Sequence, residues 1–385
     1  HGDRDHPSIA AALHELGRFS RQTGDLKKAK EYLDESLRMK RCLHGDRDHP
    51  NVAKTLHALG VVVQQTGDLN GAKKYLDESL RMKRALHGDS DHPDIASTLR
   101  ELGNLSRQSG YLKQAKQHLD ESLRMQCSLH VERHHPNIAA TLHALGNLSL
   151  QAGDLKKARE YLDESLRMKR CLHGDTDHPD VATTLRELGR LTREVGDLKQ
   201  AKQHLDESLR MQLSLHGDKD HPDIAATLQE LGILSKQAGD PGEAQQHFQK
   251  SLRMKRSLHG NGDHLEVATT LHALGLGSRQ AGDLEQAKQH LTESLRMKRS
   301  LYGEMDHPSI AKTLHALGLV GQQSGDLNGA KKYLDASFRM KRSLHGDRDH
   351  PSIAAALHEL GRFSRQTGDL KKAKEYLDES LSWTC

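Results

Sequence analysis

One period governs this chain. The segment HGDRDHP at residues 1–7 returns at 44–50 and at 345–351. Looser copies start at His1, His44, His87, His130, His173, His216, His259, Tyr302 and His345, each 43 residues after the last. A fixed period of about 20–50 residues is the signature of a stacked array, in which no unit buries its apolar face alone. This overrides the two or three globular domains that 385 residues would suggest. Residues 1–385 are therefore read as one repeat domain of nine copies, the last shortened. Composition agrees, because aromatic residues at 3% cannot build a large Phe- and Trp-rich core, whereas Leu, Ala and Gly spread among 29% charged residues suit stacked helices.

Each copy reads as two helices. In the fifth, Pro179 suits a first helical turn, where its missing N–H has no partner to lose. Val181, Ala182, Leu185, Leu188 and Gly189 then follow at three-four spacing and line one face. Gly196 is placed to end that helix and Asp197 to cap the next, which buries Leu198, Ala201, Leu205, Ser208 and Leu209. The sixth copy carries Asp240-Pro241-Gly242-Glu243, with Asp at the cap and Glu at the third position of a capping box. A short turn makes the two helices antiparallel neighbours. Glycine stands at 17 and every 43 residues after it up to Gly361, and alanine likewise from Ala29 to Ala373. A mid-helix glycine costs about 1 kcal/mol relative to alanine, so its retention predicts close helix approach.

These positions resemble the tetratricopeptide (TPR) repeat, more closely the long-period form of kinesin light chains and nephrocystin-like proteins. Gly174 to Ala182 is similar to that form's opening segment, and Leu185, Leu188-Gly189, Ala201 and Leu205 match its packing positions. Thr192 and Ser208 stand where Tyr and Ala are usual. The resemblance covers all nine copies and implies an all-α, right-handed superhelical solenoid of nine helix–turn–helix repeats. It also implies a concave groove, lined by the first helices, that holds an extended or helical peptide.

The HGDxDHP segment, with its His and Asp residues, raises metal binding as a possibility. Comparison among copies argues for a structural joint instead: the first His becomes Tyr302, the first Asp becomes Glu132, Asn261 and Glu304, and the second Asp becomes His134. Only the second His persists, from His6 to His350, as a helix cap or packed loop residue. No metal, no cofactor, no catalytic residue and no enzymatic activity are expected.

The groove positions do vary. One ladder runs His14, His57, Arg100, His143, Arg186, Gln229, His272, His315 and His358. Two others contain Arg18, Asn104, Asn147, Arg190 and Arg362, and Arg21, Arg107, Arg193, Lys236, Arg279 and Arg365. Arg pairs fork-like with carboxylates, so the expected partner is a protein or peptide segment of acidic character. The resemblance implies that Asn104 and Asn147 stand where similar peptide-binding repeats use Asn to hold a ligand's backbone. Plain solvated helix faces are the alternative.

RMKR stretches such as Arg38–Arg41 follow Asp-Glu pairs and read as a charge-laced outer face. Aromatic stacking partners are scarce and the net charge is only +4, so nucleic acid is not the expected partner. Cys42, Cys127, Cys171 and Cys385 form no CxxC pair and are expected to be free thiols in a reducing, cytoplasmic setting. No apolar run reaches membrane-spanning length. A start at His1 rather than Met suggests a piece of a longer chain. Residues 1–37 equal residues 345–381, which raises head-to-tail self-association, with the tail Ser382–Cys385 placed to disturb it. The expected function is a peptide-binding interaction scaffold. The alternative is a structural or self-assembling module, the sensor or oligomerisation arm of a larger protein.

Overall fold

A computed structural model of the chain describes residues 6–45, 47–88, 90–130, 134–174, 176–217, 219–260, 262–303, 305–346 and 350–382. The expectations placed on His1–Asp5, Glu132, Asn261, Glu304 and Trp383–Cys385 lie outside these residues. Among the described residues the only regular structure is helix, and the contacts cluster into two units, 1–195 and 196–385.

The first unit contains α1 (Pro7–Gln22), α2 (Leu26–His44), α3 (Pro50–Gln65), α4 (Leu69–His87), α5 (Pro93–Gln108), α6 (Leu112–Leu129), α7 (Pro136–Gln151), α8 (Leu155–His173) and α9 (Pro179–Val195). The second contains α10 (Leu198–His216), α11 (Pro222–Gln237), α12 (Pro241–His259), α13 (Leu265–Gln280), α14 (Leu284–Tyr302), α15 (Pro308–Ser324), α16 (Leu327–His345), α17 (Pro351–Gln366) and α18 (Leu370–Ser382). In both units the two helices of a repeat pack on each other, and the second helix packs on the first helix of the next repeat. Successive first helices of the first unit also touch, which aligns their outward positions into a continuous face.

The local signals act as expected. Gly196 takes φ +95°, and the Asp197 side chain accepts a hydrogen bond from the Gln200 N–H. One expectation is corrected. Glu243 does not close a capping box, because the Asp240 N–H donates to the Ser235 carbonyl (2.9 Å), while Glu243 Oε2 accepts from the Ser235 hydroxyl (2.8 Å). The repeat glycine is explained by its neighbour: a Cβ on Gly17 would lie 2.5 Å from Leu33 Cγ, and one on Gly232 2.7 Å from the Phe248 ring. Glycine thus lets a large residue of the second helix sit against the first helix's backbone. Apolar layers such as Leu33, Leu37, Val52, Leu56 and Leu59 fill the space between repeats, each buried Leu contributing roughly 1.5–3 kcal/mol. The serine that stands for the usual alanine has a job of its own. Ser36 Oγ donates to the Ala10 carbonyl (2.6 Å) and Ser165 Oγ to that of Ala139 (2.7 Å), tying the two helices of a repeat together.

Candidate functional site

The opening segment is a joint, and its two rings and its second Asp each have a mechanical role in the described residues. His49 Nδ1 accepts the Asn51 N–H (3.2 Å), capping α3, and its ring stacks on His44 with centroids 3.5 Å apart. Tyr302 stacks on His307 in the same way at 3.6 Å, which explains why the first His can become Tyr but remains a flat ring. The second Asp holds the first arginine of RMKR, as in Arg81–Asp48 (2.9 Å) and Arg296–Asp263 (2.8 Å). Where His134 replaces it, Arg167 Nη1 lies 3.2 Å from His134 Nε2. His173, His178 and Asp180, and likewise His259, His264 and Glu266, bring three potential ligand atoms within 4.8 Å of one another. Their histidines are stacked almost parallel, however, so the in-plane lone pairs run side by side rather than converging on an ion.

His14, His57, His143 and His272 of the first ladder each form part of a buried polar station between repeats. Lys83 of α4 is only 4% exposed. Its Nζ donates to Thr98 Oγ1 (2.7 Å) and to the Asp94 carbonyl (3.2 Å). The Thr98 hydroxyl donates to that same carbonyl (2.9 Å), and His57 Nδ1 lies 3.2 Å from Thr98 Oγ1. The single hydroxyl proton is thereby used, so Thr98 accepts from both Lys83 and His57, and the imidazole carries its proton on Nδ1. The station repeats as Lys40–Thr55–His14, Lys169–Thr184–His143 and Lys298–Thr313–His272. Burial is the largest cause holding His57 down to about 3 and Lys83 down to about 8, with Lys83 adding to the depression of His57.

Gln126 breaks this series, and so does its counterpart. Thr141 donates to Gln126 Oε1 (2.9 Å), and the ladder residue is Arg100, paired with Glu101 at 3.2 Å. Along the sequence, lysine at 40, 83, 169, 255, 298 and 341 goes with His or Gln at 14, 57, 143, 229, 272 and 315. Gln126 and Gln212 go with Arg100 and Arg186. Each station therefore has one obligate cation at most. This anticorrelation is the sequence signal that reveals the station.

The other predicted groove residues lie on the first helices, but many already have acidic neighbours. Arg186 lies 3.7 Å and Arg190 3.3 Å from Glu187, Arg193 lies 3.9 Å from Glu194, and Arg362 lies 3.1 Å from Glu359. Asn104 Nδ2 donates to Glu101 (3.4 Å), and Arg107 Nη1 donates to Gln151 (3.3 Å). Asn147 Nδ2 donates to His143 Nε2 (3.1 Å), which fits a histidine protonated on Nδ1 and fixes the Asn147 amide. Its Oδ1 is buried with no hydrogen-bond partner, as are Arg107 Nε and Arg279 Nε. Arg279 also faces Lys236, a neighbouring cation. Arg365 is exposed.

The sequence profile of the tetratricopeptide repeat matches residues 8–85, 51–128, 94–170, 180–257 and 306–382, and a second TPR profile matches 267–309. The chain belongs to the TPR family. Comparison with curated proteins finds no match for this TPR chain. Among solved structures it is similar to the quorum sensor NprR of B. thuringiensis in apo form, at TM-score 0.68 and 13% identity, over 97% of this chain and 98% of that one. It is also similar to a Rap protein complexed with Competence and Sporulation Factor, at TM-score 0.65 and 14% identity, over 97% of each chain. At these identities the likeness concerns the fold.

Two cavities of the TPR chain lie along its first helices. One of about 390 Å³ is lined by Arg18, Arg21, Lys54, His57, Lys83 and Asp94; another of about 560 Å³, in the second unit, is lined by Arg279, Gln322, Glu359 and Arg362. The RMKR stretches offer no comparable basic surface. Met39 and Lys40 are buried, Arg38 pairs with Glu35 (2.7 Å) and Arg41 with Glu78 (2.8 Å). Cys42, Cys127 and Cys171 are exposed free thiols, and among the described residues no helix is long and apolar enough to cross a membrane.

Proposed function

We propose that this TPR chain is a protein-interaction scaffold whose first-helix face binds an extended peptide segment of acidic character. The observation that carries this reading is the Asn147 amide. Its orientation is set by His143, which leaves a buried carbonyl oxygen with no partner. An unsatisfied buried polar atom costs about 1–3 kcal/mol, a cost that a ligand's backbone N–H would remove. Arg107 Nε and Arg279 Nε lie on the neighbouring ladder in the same condition and suit carboxylate or carbonyl acceptors. Selection from a displayed peptide library, followed by calorimetry on Asn147→Ala and Arg107→Ala, tests the reading. Each variant should weaken the selected peptide about five- to tenfold, on the order of 1 kcal/mol. Unchanged affinity in both would sink the groove.

One observation favours self-association as a second reading. Ile9, Leu16 and Phe19 are 47%, 46% and 62% exposed, while the same residues of the identical ninth copy, Ile353, Leu360 and Phe363, are 0%, 2% and 5% exposed. In the ninth copy the second helix of the preceding repeat covers this face; in the first, a second copy's end repeat could do so. Sedimentation that stays monomeric as concentration rises, with Phe19→Ser behaving identically, would remove this reading.

A further inference from the structure

The basic character of the groove is not spread evenly. In the Arg-rich third and fifth repeats, Glu101, Glu187 and Glu194 stand beside the arginines. In the second-unit cavity, Glu359 holds Arg362. Between α1, α3 and α5 the middle helix contributes no acid at this position. The position occupied by Glu15, Glu101, Glu187, Glu230 and Glu359 is Ala58 in the second repeat, and alanine also at Ala144, Ala273 and Ala316. Ala58 lines the 390 Å³ cavity.

Four cations border this cavity: Arg18, Arg21, Lys54 and Lys83. Arg18 is held by Glu15 (3.3 Å). Among the described residues Arg21 and Lys54 make no ion pair, and the Lys83 ammonium donates only to a hydroxyl and a backbone carbonyl. Asp94 is the carboxylate of the lining. Set against Glu15 and Asp94, the four cations leave a surplus of two positive charges. His14 and His57, also in the lining, add no charge near neutral pH, because burial above all holds them down to about 4 and about 3. The crowding is visible in the groups themselves: Lys54 helps depress Lys83, and Arg21 and Arg100 help depress His57.

We infer that this cavity is an anion subsite of the groove that takes a phosphoryl group carried by the bound peptide. The inference rests on the groove reading above. A phosphoryl group carries close to two negative charges and three acceptor oxygens on one tetrahedral centre, whereas a single carboxylate brings one charge. Donors arriving from three helices, Arg21 on α1, Lys54 on α3 and Lys83 on α4, suit a compact centre of that kind. The volume falls in the range of small-ligand pockets, with room for the side chain that bears the group.

The test uses the full chain, inorganic phosphate, and a random phosphoserine peptide library beside its dephosphorylated counterpart. With ¹³C-methylated lysines, phosphate should shift the Lys54 and Lys83 resonances saturably. Ala58→Glu, which supplies the acid found in other repeats, should weaken phosphate at least tenfold. Lys54→Gln, at an exposed position, should weaken it about fivefold and guards against a folding defect in the first variant. Lys156→Gln, the same charge change on α8 outside the cavity, should leave affinity as it was. Equal affinity in wild type and both cavity variants, or equal weakening by Lys156→Gln, would overturn the subsite. Peptides that bind with no preference for the phosphorylated form overturn the subsite and leave the groove reading intact. Phosphate binding that Ala58→Glu abolishes, with no peptide bound at all, upholds the cavity as an anion site and removes the groove reading instead.

Discussion

Two neighbouring stations solve the same problem differently. Between the second and third repeats, Lys83 reaches from the second helix to Thr98, and the ladder residue is neutral His57. Between the third and fourth, Gln126 takes the place of the lysine, and the cation is Arg100 on the first helix, met by Glu101. The threonine is the same in both and fully buried. What changes is the side on which the charge sits. Two cations around one buried hydroxyl would repel each other in a low-dielectric site, and burial already strains a single one. The lysine form hides its charge between helices, while the arginine form moves it to the groove, where a glutamate comes with it.

The sharpest way to break this comparison is to install both cations at once. His57→Arg opposite Lys83 should cost about 3 kcal/mol or more, read from the urea midpoint, because Ala58 offers no acid. Adding Lys83→Gln should recover most of that loss, and adding Ala58→Glu more still, since the triple variant rebuilds the arginine station. Equal stability of the single and double variants would show that the anticorrelation is not electrostatic.

Removing the shared hydroxyl comes next in size. Thr98→Val leaves the Lys83 ammonium with one carbonyl and His57 Nδ1 with nothing, an expected loss of about 1–3 kcal/mol by urea denaturation. The chain contains the reverse case. The ninth copy has Ala356 at this position, 3% exposed, facing a station whose lysine is Lys341. Ala356→Thr should therefore stabilise by about 0.5–1.5 kcal/mol, and a loss of stability would mean that this station is packed differently.

The repeat made the helices legible in the sequence. A 43-residue period, Pro at eight of nine first-helix starts and Asp at eight of nine second caps are local signals, and local geometry answers to them. The ladders were legible as positions but not as partners. His57 looks like any exposed polar residue until Lys83 and Thr98 are brought to it from 26 and 41 positions away. Arg190 looks like a free cation until the turn of its own helix places Glu187 beside it. The cavity at Ala58 was the hardest to foresee, because it takes both an alanine at the acid's position and cations brought together from α1, α3 and α4.

The smallest expected effect at neutral pH is also the most specific to the lysine form. His57→Gln keeps a neutral polar group at the ladder position, and Gln229 shows that the fold accepts glutamine there: Thr270 donates to Gln229 Oε1 (2.9 Å). Near pH 7 the change should be within about 1 kcal/mol. The pH profile separates the two residues. His57 is held at about 3 in the folded chain against 6.5 in the unfolded one, so between these values the unfolded state binds more protons. Stability attributable to His57 is therefore present above 6.5 and lost as pH falls toward 3. His57→Gln should flatten that part of the slope, measured as the urea midpoint between pH 6.5 and 4. Lys83 is held at about 8 against 10.5, so the same reasoning makes its station gain stability as pH rises from 8 to 10.5, a rise that Lys83→Gln should remove. An arginine station has neither slope. Its cation keeps its proton throughout, and rebuilding one at Lys83 and His57 should flatten both ends of the profile together.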